Sequence, residues 1–134
     1  MVKSAAPVAF ERELAQLRAA FTERLELRRQ ELLGAQAALS AADDAVSRDA
    51  ARRHLGRLAH GISGSAATFG YPALSKLAAA LEAACRQAAG EIAGEIAGEI
   101  AGETAGKADV RLPELLAALI EAFDAACEVA RAVD

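Results

Sequence analysis

Aromatic residues, prolines and cysteines are scarce in this chain of 134 residues. It contains no Trp, 1 Tyr, 4 Phe and 3 Pro. Its 2 cysteines, Cys85 and Cys127, stand far apart and lack the close spacing of a metal site. We therefore expect both to be small buried hydrophobes in a reducing cytosol rather than metal ligands.

Long apolar runs and an excess of positive charge are also missing. No run approaches the roughly 18 apolar residues of a membrane-spanning helix, and residues 1–10 lack the hydrophobic core of a signal peptide. The net charge of −4 argues against nucleic-acid binding, which needs a basic field. The sequence therefore predicts a cytoplasmic protein that binds neither a membrane nor nucleic acid.

Helix-forming residues, in contrast, are abundant. Hydrophobic residues make up 54% of the chain, much of that alanine, and Leu, Glu and Arg are the other common types. This composition favours an all-α protein. A chain of this length can bury a core without metals or disulfides, and we predict a single domain over residues 1–134.

Apolar periodicity and turn signals divide the chain into four predicted helices. They span residues 7 to about 39, 44 to 69, 72 to about 87, and from about Leu112-Pro113 onward. Gly70 supplies a helix stop and Pro72 suits a first turn, so the second and third helices should be antiparallel neighbours. The first helix is expected to bury a stripe of Phe10, Leu14, Leu17, Phe21 and Leu25. These features predict an up-and-down antiparallel four-helix bundle.

A low-complexity insert at about 89–106 separates the third and fourth predicted helices. It repeats Ala-Gly-Glu-Ile three times and continues as Ala-Gly-Glu-Thr. The four-residue period puts the isoleucines on one helical stripe. Each glycine, however, costs about 1 kcal/mol in a helix, and successive glutamates repel one another. Two interpretations stay open: a loop, or an extension of the third helix beyond the bundle.

The second predicted helix carries a histidine on its polar face. Its apolar residues share one face, and His60 lies about 160° from Ile62, where it is expected to be in water. His60 shares its side of the helix with Arg53, Gly56, Arg57, Gly64 and Ala67. His54 lies on the flank, about 80° from Ile62, and is expected to be partly packed rather than a second reactive site.

Three glycines interrupt this same helix. Gly56, Gly61 and Gly64 each cost about 1 kcal/mol relative to alanine, so each needs a reason other than helix formation. Gly61 on the flank can serve close packing of a neighbouring helix. Gly56 and Gly64 are expected to face solvent with His60. They therefore predict a surface that another protein's backbone approaches closely.

The region around His60 resembles the signature of histidine-containing phosphotransfer (HPt) domains, which carry phosphoryl groups between receiver domains in bacterial phosphorelays. The matching residues are His60, Ile62, Gly64, Ser65, Phe69-Gly70, Leu74 and Leu81-Glu82. The family's usual lysine, three residues after the histidine, is replaced by Ser63. The resemblance implies an HPt-like four-helix bundle in which His60 is phosphorylated.

A histidine that accepts a phosphoryl group needs a hydrogen bond on its other ring nitrogen to fix the ring. Since the third helix folds back after Gly70, residues 79–82 should come beside His60, and Glu82 is the polar candidate. The resemblance supports this role, because a glutamate or glutamine orients the imidazole in some family members. A solvated carboxylate without this role is the alternative for Glu82. Ser63 can only donate a hydrogen bond to the phosphoryl group.

Three arginines are candidates for the positive charge that Ser63 lacks. Arg53, Arg57 and Arg86 can attract the phosphoryl group or a docking partner, and Gly56, Gly64 and Ala67 are expected to belong to the same docking surface. The alternative is that each arginine is an ordinary surface residue.

The resemblance implies a phosphoryl carrier that exchanges its phosphoryl group with the aspartate of a response-regulator receiver domain. A hybrid histidine kinase is a further expected partner, and we expect the chain to be a monomer. The resemblance implies no cofactor of its own, since the receiver supplies Mg²⁺. The chain has no nucleotide-binding glycine loop, so we expect no autonomous kinase activity.

Two other functions stay open. One is a helical adapter that binds receiver or kinase domains without carrying phosphate. The other is the dimerisation domain of a histidine kinase. That family's motif sets a Glu after the histidine and a Pro about five residues on, where this chain has Gly61 and Ser65.

Overall fold

The computed structural model describes residues 5–88 and 99–133. Within these residues the chain forms four α-helices and no strand. They are α1 (Ala5–Ala41), α2 (Ala45–Thr68), α3 (Pro72–Ala88) and α4 (Glu99–Val133). The predicted all-α fold is confirmed.

The helices pack in a ring, in which α1 contacts α2 and α4, and α3 contacts α2 and α4. This is the arrangement of an up-and-down antiparallel four-helix bundle. The centre is mainly aliphatic. Its largest fully buried side chains are Phe123, Leu25, Leu32, Leu55, Leu81, Leu112, Leu116 and Leu119. Cys85 and Cys127 are both buried, as expected.

Local signals fix both ends of α2. At its start the Asp44 carboxylate accepts a hydrogen bond of 2.7 Å from the backbone N–H of Ser47, which satisfies one of the helix's unpaired donors. This bond lowers the pKa of the Asp44 carboxyl. At the other end Gly70 has φ +83°, and the N–H of Tyr71 donates to the carbonyl of Ala66 at 2.8 Å. This is a left-handed glycine cap, and it turns the chain directly into α3.

The predicted start of the fourth helix is wrong. We expected it near Leu112-Pro113, whereas α4 begins at Glu99 and continues through Pro113. A proline inside a helix removes one backbone hydrogen bond and costs about 3 kcal/mol. Burial outweighs this cost, because Ala108 and Leu112 on the earlier turns are only 2% and 0% exposed.

The structure describes only the second part of the insert predicted at about 89–106. Residues 99–106 form the first turns of α4, which matches neither a loop nor an extension of the third helix. Residues 89–98 lie outside the described part of the chain.

The stripe predicted on the first helix is buried only in part. Phe21 and Leu25 are buried, but Phe10 and Leu17 are 64% and 53% exposed. The ring of Phe21 stacks on that of Phe69 at the α2–α3 turn, with centroids 4.6 Å apart. Because α1 has 37 residues and α2 has 24, the first turns of α1 extend past this turn and are not covered by α2 or α3.

Among the described residues, none of the helices combines the length and apolar character that crossing a lipid bilayer requires.

Candidate functional site

The pair His60 and Glu82 joins α2 to α3 at the bundle surface. Nδ1 of the His60 ring lies 2.8 Å from Oε2 of Glu82. The His60 side chain is 77% exposed, whereas that of Glu82 is 26% exposed. The carboxylate is therefore held by its surroundings, while most of the ring projects into solvent. Two residues that the sequence analysis placed side by side are in contact.

Close packing of α2 on α3 makes this contact possible. A Cβ atom built at Gly56 would lie 3.4 Å from Cβ of Cys85, so the two backbones are near each other at this level. Two turns further along α2, the carbonyl of Ser63 accepts a hydrogen bond of 3.0 Å from the Ser75 hydroxyl of α3. Buried Ala59 and Ala78, both 0% exposed, keep the side chains between the helices small. The glycine and the alanines thus bring Glu82 within reach of His60.

The prediction that Gly56 faces solvent is consequently wrong in part. Gly56 is half-buried, and its missing side chain leaves room for Cys85 of α3. Gly64 behaves as predicted, because it is exposed and a Cβ atom there would meet no atom within 4 Å. Gly61 faces α1, where a Cβ would lie 3.5 Å from Nη2 of Arg28.

An open groove of about 450 Å³ runs along the α2–α3 junction beside His60. Four arginines line it together with the His60–Glu82 pair, and the complete lining is Arg52, Arg53, Gly56, Arg57, His60, Glu82, Cys85 and Arg86. The predicted Arg53, Arg57 and Arg86 are therefore brought together. The groove concentrates positive charge next to the imidazole in a chain whose net charge is −4.

Not every predicted site residue lines the groove. Gly64 and Ala67 are exposed further along α2, and Ser63 is half-buried there. These three residues lie on the stretch of α2 between His60 and the turn to α3, away from the arginines. The surface around His60 thus has a cationic side and a side of small residues.

Arg52 is a residue of this groove that the sequence analysis did not single out. Its side chain is only 15% exposed, and Nη1 forms an ion pair of 3.1 Å with Asp109 of α4. The same nitrogen lies 3.5 Å from the carbonyl of Ala88 at the end of α3. Arg52 therefore ties α2 to both α3 and α4 at the floor of the groove. The sequence signal that could have identified Arg52 is its position eight residues before His60, two turns away on the same helix.

Cys85 also lines the groove and was assigned to the core alone. Burial raises the pKa of its thiol to about 12, although the nearby positive charge of Arg52 acts in the opposite direction. The thiol is thus protonated at neutral pH, and the reactive thiolate is rare. Cys85 is therefore an unreactive residue in the lining of the groove beside His60.

His54 differs from its prediction. We expected a partly packed ring, but the residue is exposed on α2. Over the described ranges, 5–88 and 99–133, no group of three or more His, Cys, Asp or Glu side chains is arranged to hold a metal ion.

The chain was also compared with known proteins. A family model described as Hpt domain matches residues 9–126, a range that includes His60, Glu82 and the whole arginine-lined groove. No curated protein and no solved structure matches the chain with significance.

Proposed function

We propose, from the premise that this chain belongs to the Hpt domain family, that it is a histidine phosphotransfer protein and that His60 carries the phosphoryl group. Hpt domains have a phosphotransfer role in two-component systems, where they interact with receiver domains and kinases. For this chain we infer a receiver-domain aspartyl phosphate as the donor, with transfer in both directions. The observation that carries the proposal is the exposed His60 ring with Nδ1 held by Glu82.

The hydrogen bond with Glu82 selects the reactive nitrogen. A carboxylate can only accept, so in the neutral imidazole Nδ1 carries the proton and donates it to Oε2 of Glu82. The lone pair is then on Nε2, the ring atom opposite the contact. Because the ring is mostly exposed, a partner's phosphoryl group can reach Nε2 from solvent.

The transfer step balances without an added reactant. The Nε2 lone pair attacks phosphorus and forms an N–P bond, while the P–O bond to the receiver's aspartate breaks and its electron pair leaves with the carboxylate. The ring keeps its Nδ1 proton and becomes a positively charged phosphoimidazolium. The Glu82 carboxylate, 2.8 Å from Nδ1, stabilises this charge.

The receiver contributes the rest of the chemistry. We propose that its acidic pocket and Mg²⁺ stabilise the charge on the transferred phosphoryl group, while this chain positions the nucleophile. The chain then needs no cofactor of its own and acts as a carrier rather than as a kinase. We propose that Gly64 and Ala67, on the small-residue side of His60, let the receiver backbone approach.

Incubation with a panel of Mg²⁺-loaded, phosphorylated receivers tests the proposal. We expect the wild type to take up one phosphoryl group that mass mapping locates on His60, and His60→Gln to take up none. The substitution should change the free energy of unfolding by less than about 0.5 kcal/mol, since the side chain is exposed. Labelling of His60→Gln would contradict the assigned site, and wild type that no receiver labels would favour the adapter alternative.

A further inference from the structure

The four arginines of the groove differ in what they already bind. Arg52 forms its ion pair with Asp109, and Nε of Arg53 donates to the Asp49 carboxylate at 2.9 Å. Arg86 has an interaction partner within the chain as well. Three of the four arginines therefore have an interaction partner before any ligand or receiver arrives.

Arg57 is different. It is exposed and lines the groove with His60, but its side chain forms no ion pair or hydrogen bond with another residue in the part of the chain that the structure describes. It precedes His60 by three residues, and side chains at this spacing are neighbours on a helix surface, with Cβ atoms about 5–6 Å apart. A guanidinium group at this position can reach an anion attached to the imidazole.

The charge balance of the phosphorylated ring creates a need for such a cation. Glu82 places a carboxylate on one side of the ring, and a phosphoryl group on Nε2 adds negative charge on the other. Ser63, three residues after His60, offers only a neutral hydroxyl. Arginine presents N–H donors in a planar fork that matches the oxygens of a phosphoryl group.

We infer that Arg57 binds the phosphoryl group on His60 and is the cation by which this chain stabilises its own phosphorylated form. This inference rests on the proposed function and assigns a phosphoryl-binding residue to it. Arg57 contacts the group after transfer, without a receiver present, so its effect belongs to the phosphorylated protein itself. This stabilisation of the phosphorylated protein is distinct from a role in which Arg57 attracts an acidic surface of the partner.

The test compares wild type with Arg57→Gln, and with Arg111→Gln as a control of the same charge change. Arg111 is exposed on α4 and does not line the groove. Each protein is equilibrated with one phosphorylated receiver at low salt. We expect Arg57→Gln to hold about two- to fivefold less phosphoryl group at equilibrium, as for a partly solvated ionic contact. The difference should shrink in high salt, and Arg111→Gln should match wild type.

A second readout excludes an effect on docking alone. The phosphorylated protein is separated from the receiver, and the ³¹P NMR signal is followed against pH. A neighbouring cation stabilises the fully ionised phosphoryl group, so its last proton should be lost at a higher pH in Arg57→Gln than in wild type. Arg57→Lys should restore most of the wild-type titration. So should Ser63→Lys in the Arg57→Gln background, because it places a cation one turn away on the other side of His60.

The outcomes separate the inference from the proposed function. If no receiver labels the wild type on His60, the proposed function fails and takes the inference with it. If wild type is labelled, but Arg57→Gln titrates like Arg111→Gln and holds as much phosphoryl group, only the inference is overturned. A lower transfer rate in Arg57→Gln with an unchanged equilibrium and titration would also overturn it, because Arg57 would then bind the receiver instead.

Discussion

At the scale of single residues, one hydrogen bond decides which nitrogen of His60 is the proposed nucleophile. Glu82 occupies Nδ1, and the exposure of the rest of the ring leaves Nε2 open. In the proposed transfer, the same carboxylate first fixes the tautomer and then faces the positive phosphoimidazolium. Substitutions of Glu82 can separate the effect of its hydrogen bond from the effect of its charge.

Glu82→Ala should slow phosphoryl transfer to His60 by about fivefold. The removed contact is charge-assisted but mostly solvent-screened, so about 1 kcal/mol is the appropriate size. Glu82→Gln should lose less, because its amide oxygen still accepts from Nδ1–H although the charge is gone. Rapid-quench transfer from one receiver provides the measurement. Equal rates for all three proteins would mean that Glu82 is only a solvated carboxylate.

Cys85 should be almost unreactive in the folded protein. With a pKa raised by burial from 9.0 to about 12, only about one thiol in ten thousand is ionised at pH 8, against about one in ten at the ordinary value. Iodoacetamide should therefore alkylate Cys85 at least about a thousand times faster in urea-unfolded chain than in folded chain. Peptide mapping distinguishes it from Cys127. Rapid alkylation of the folded form would show that α2 and α3 separate readily.

The raised pKa of the Cys85 thiol also determines how the free energy of unfolding changes with pH. Well below pH 9 the thiol is protonated in both the folded and unfolded states, so its titration does not alter stability. As pH rises from 9 toward 12, the unfolded chain ionises first and the folded state loses stability.

At the scale of helices, α2 and α3 carry the whole site, and the glycines of α2 serve different neighbours. Gly56 admits Cys85 of α3, whereas Gly64 has open space around it. A Cβ atom at 56 would therefore pack against Cys85 of α3, but a side chain at 64 meets only solvent or a partner.

Gly64→Leu should stabilise the fold and block transfer. Replacing an exposed helical glycine should add about 0.5–1 kcal/mol to the free energy of unfolding, while the leucine obstructs the receiver one turn from His60. Gly34→Leu is the matched control, because Gly34 is also exposed with no atom near its Cβ, but lies on α1. It should gain similar stability and keep wild-type transfer. Unchanged transfer in Gly64→Leu would remove Gly64 from the docking surface.

Some features of the helices could be predicted from the sequence, and others could not. The HPt resemblance is confirmed by the family match, and the turn at Gly70 correctly placed Glu82 near His60, because both predictions used local signals. The start of α4 at Glu99 was missed, since burial of Ala108 and Leu112 outweighs the local cost of Pro113. Arg52 was missed because its partner, Asp109, is distant in sequence. Helical phase gives the face of a residue, not the neighbour that covers it.

At the scale of the whole molecule, ion pairs link helices that are far apart in sequence. Arg29 of α1 pairs with Asp124 of α4, and Arg52 of α2 pairs with Asp109 of α4. The first pair joins the neighbouring helices α1 and α4, whereas the second links α2 to α4 across the ring. The exposed apolar residues Phe10 and Leu17 lie on the first turns of α1, away from the site on α2 and α3.

We expect the protein to be a monomer of 13.8 kDa in solution. Multi-angle light scattering over a range of concentrations measures this directly. A mass of twice that value would contradict the expectation and point to α1. In that case Phe10→Ser with Leu17→Ser should restore the monomer, whereas Val46→Ser, at another exposed apolar residue on α2, should not.

The helical hairpin of α2 and α3 also gives an expectation for the order in which the molecule folds. His60 and Glu82 are 22 residues apart, whereas Arg29 and Asp124, which join the first and last helices, are 95 apart. Closing a short loop costs less entropy, and contacts between near neighbours in sequence form sooner. The imidazole and its carboxylate should therefore meet early on the folding pathway, before α1 and α4 close the ring around the core.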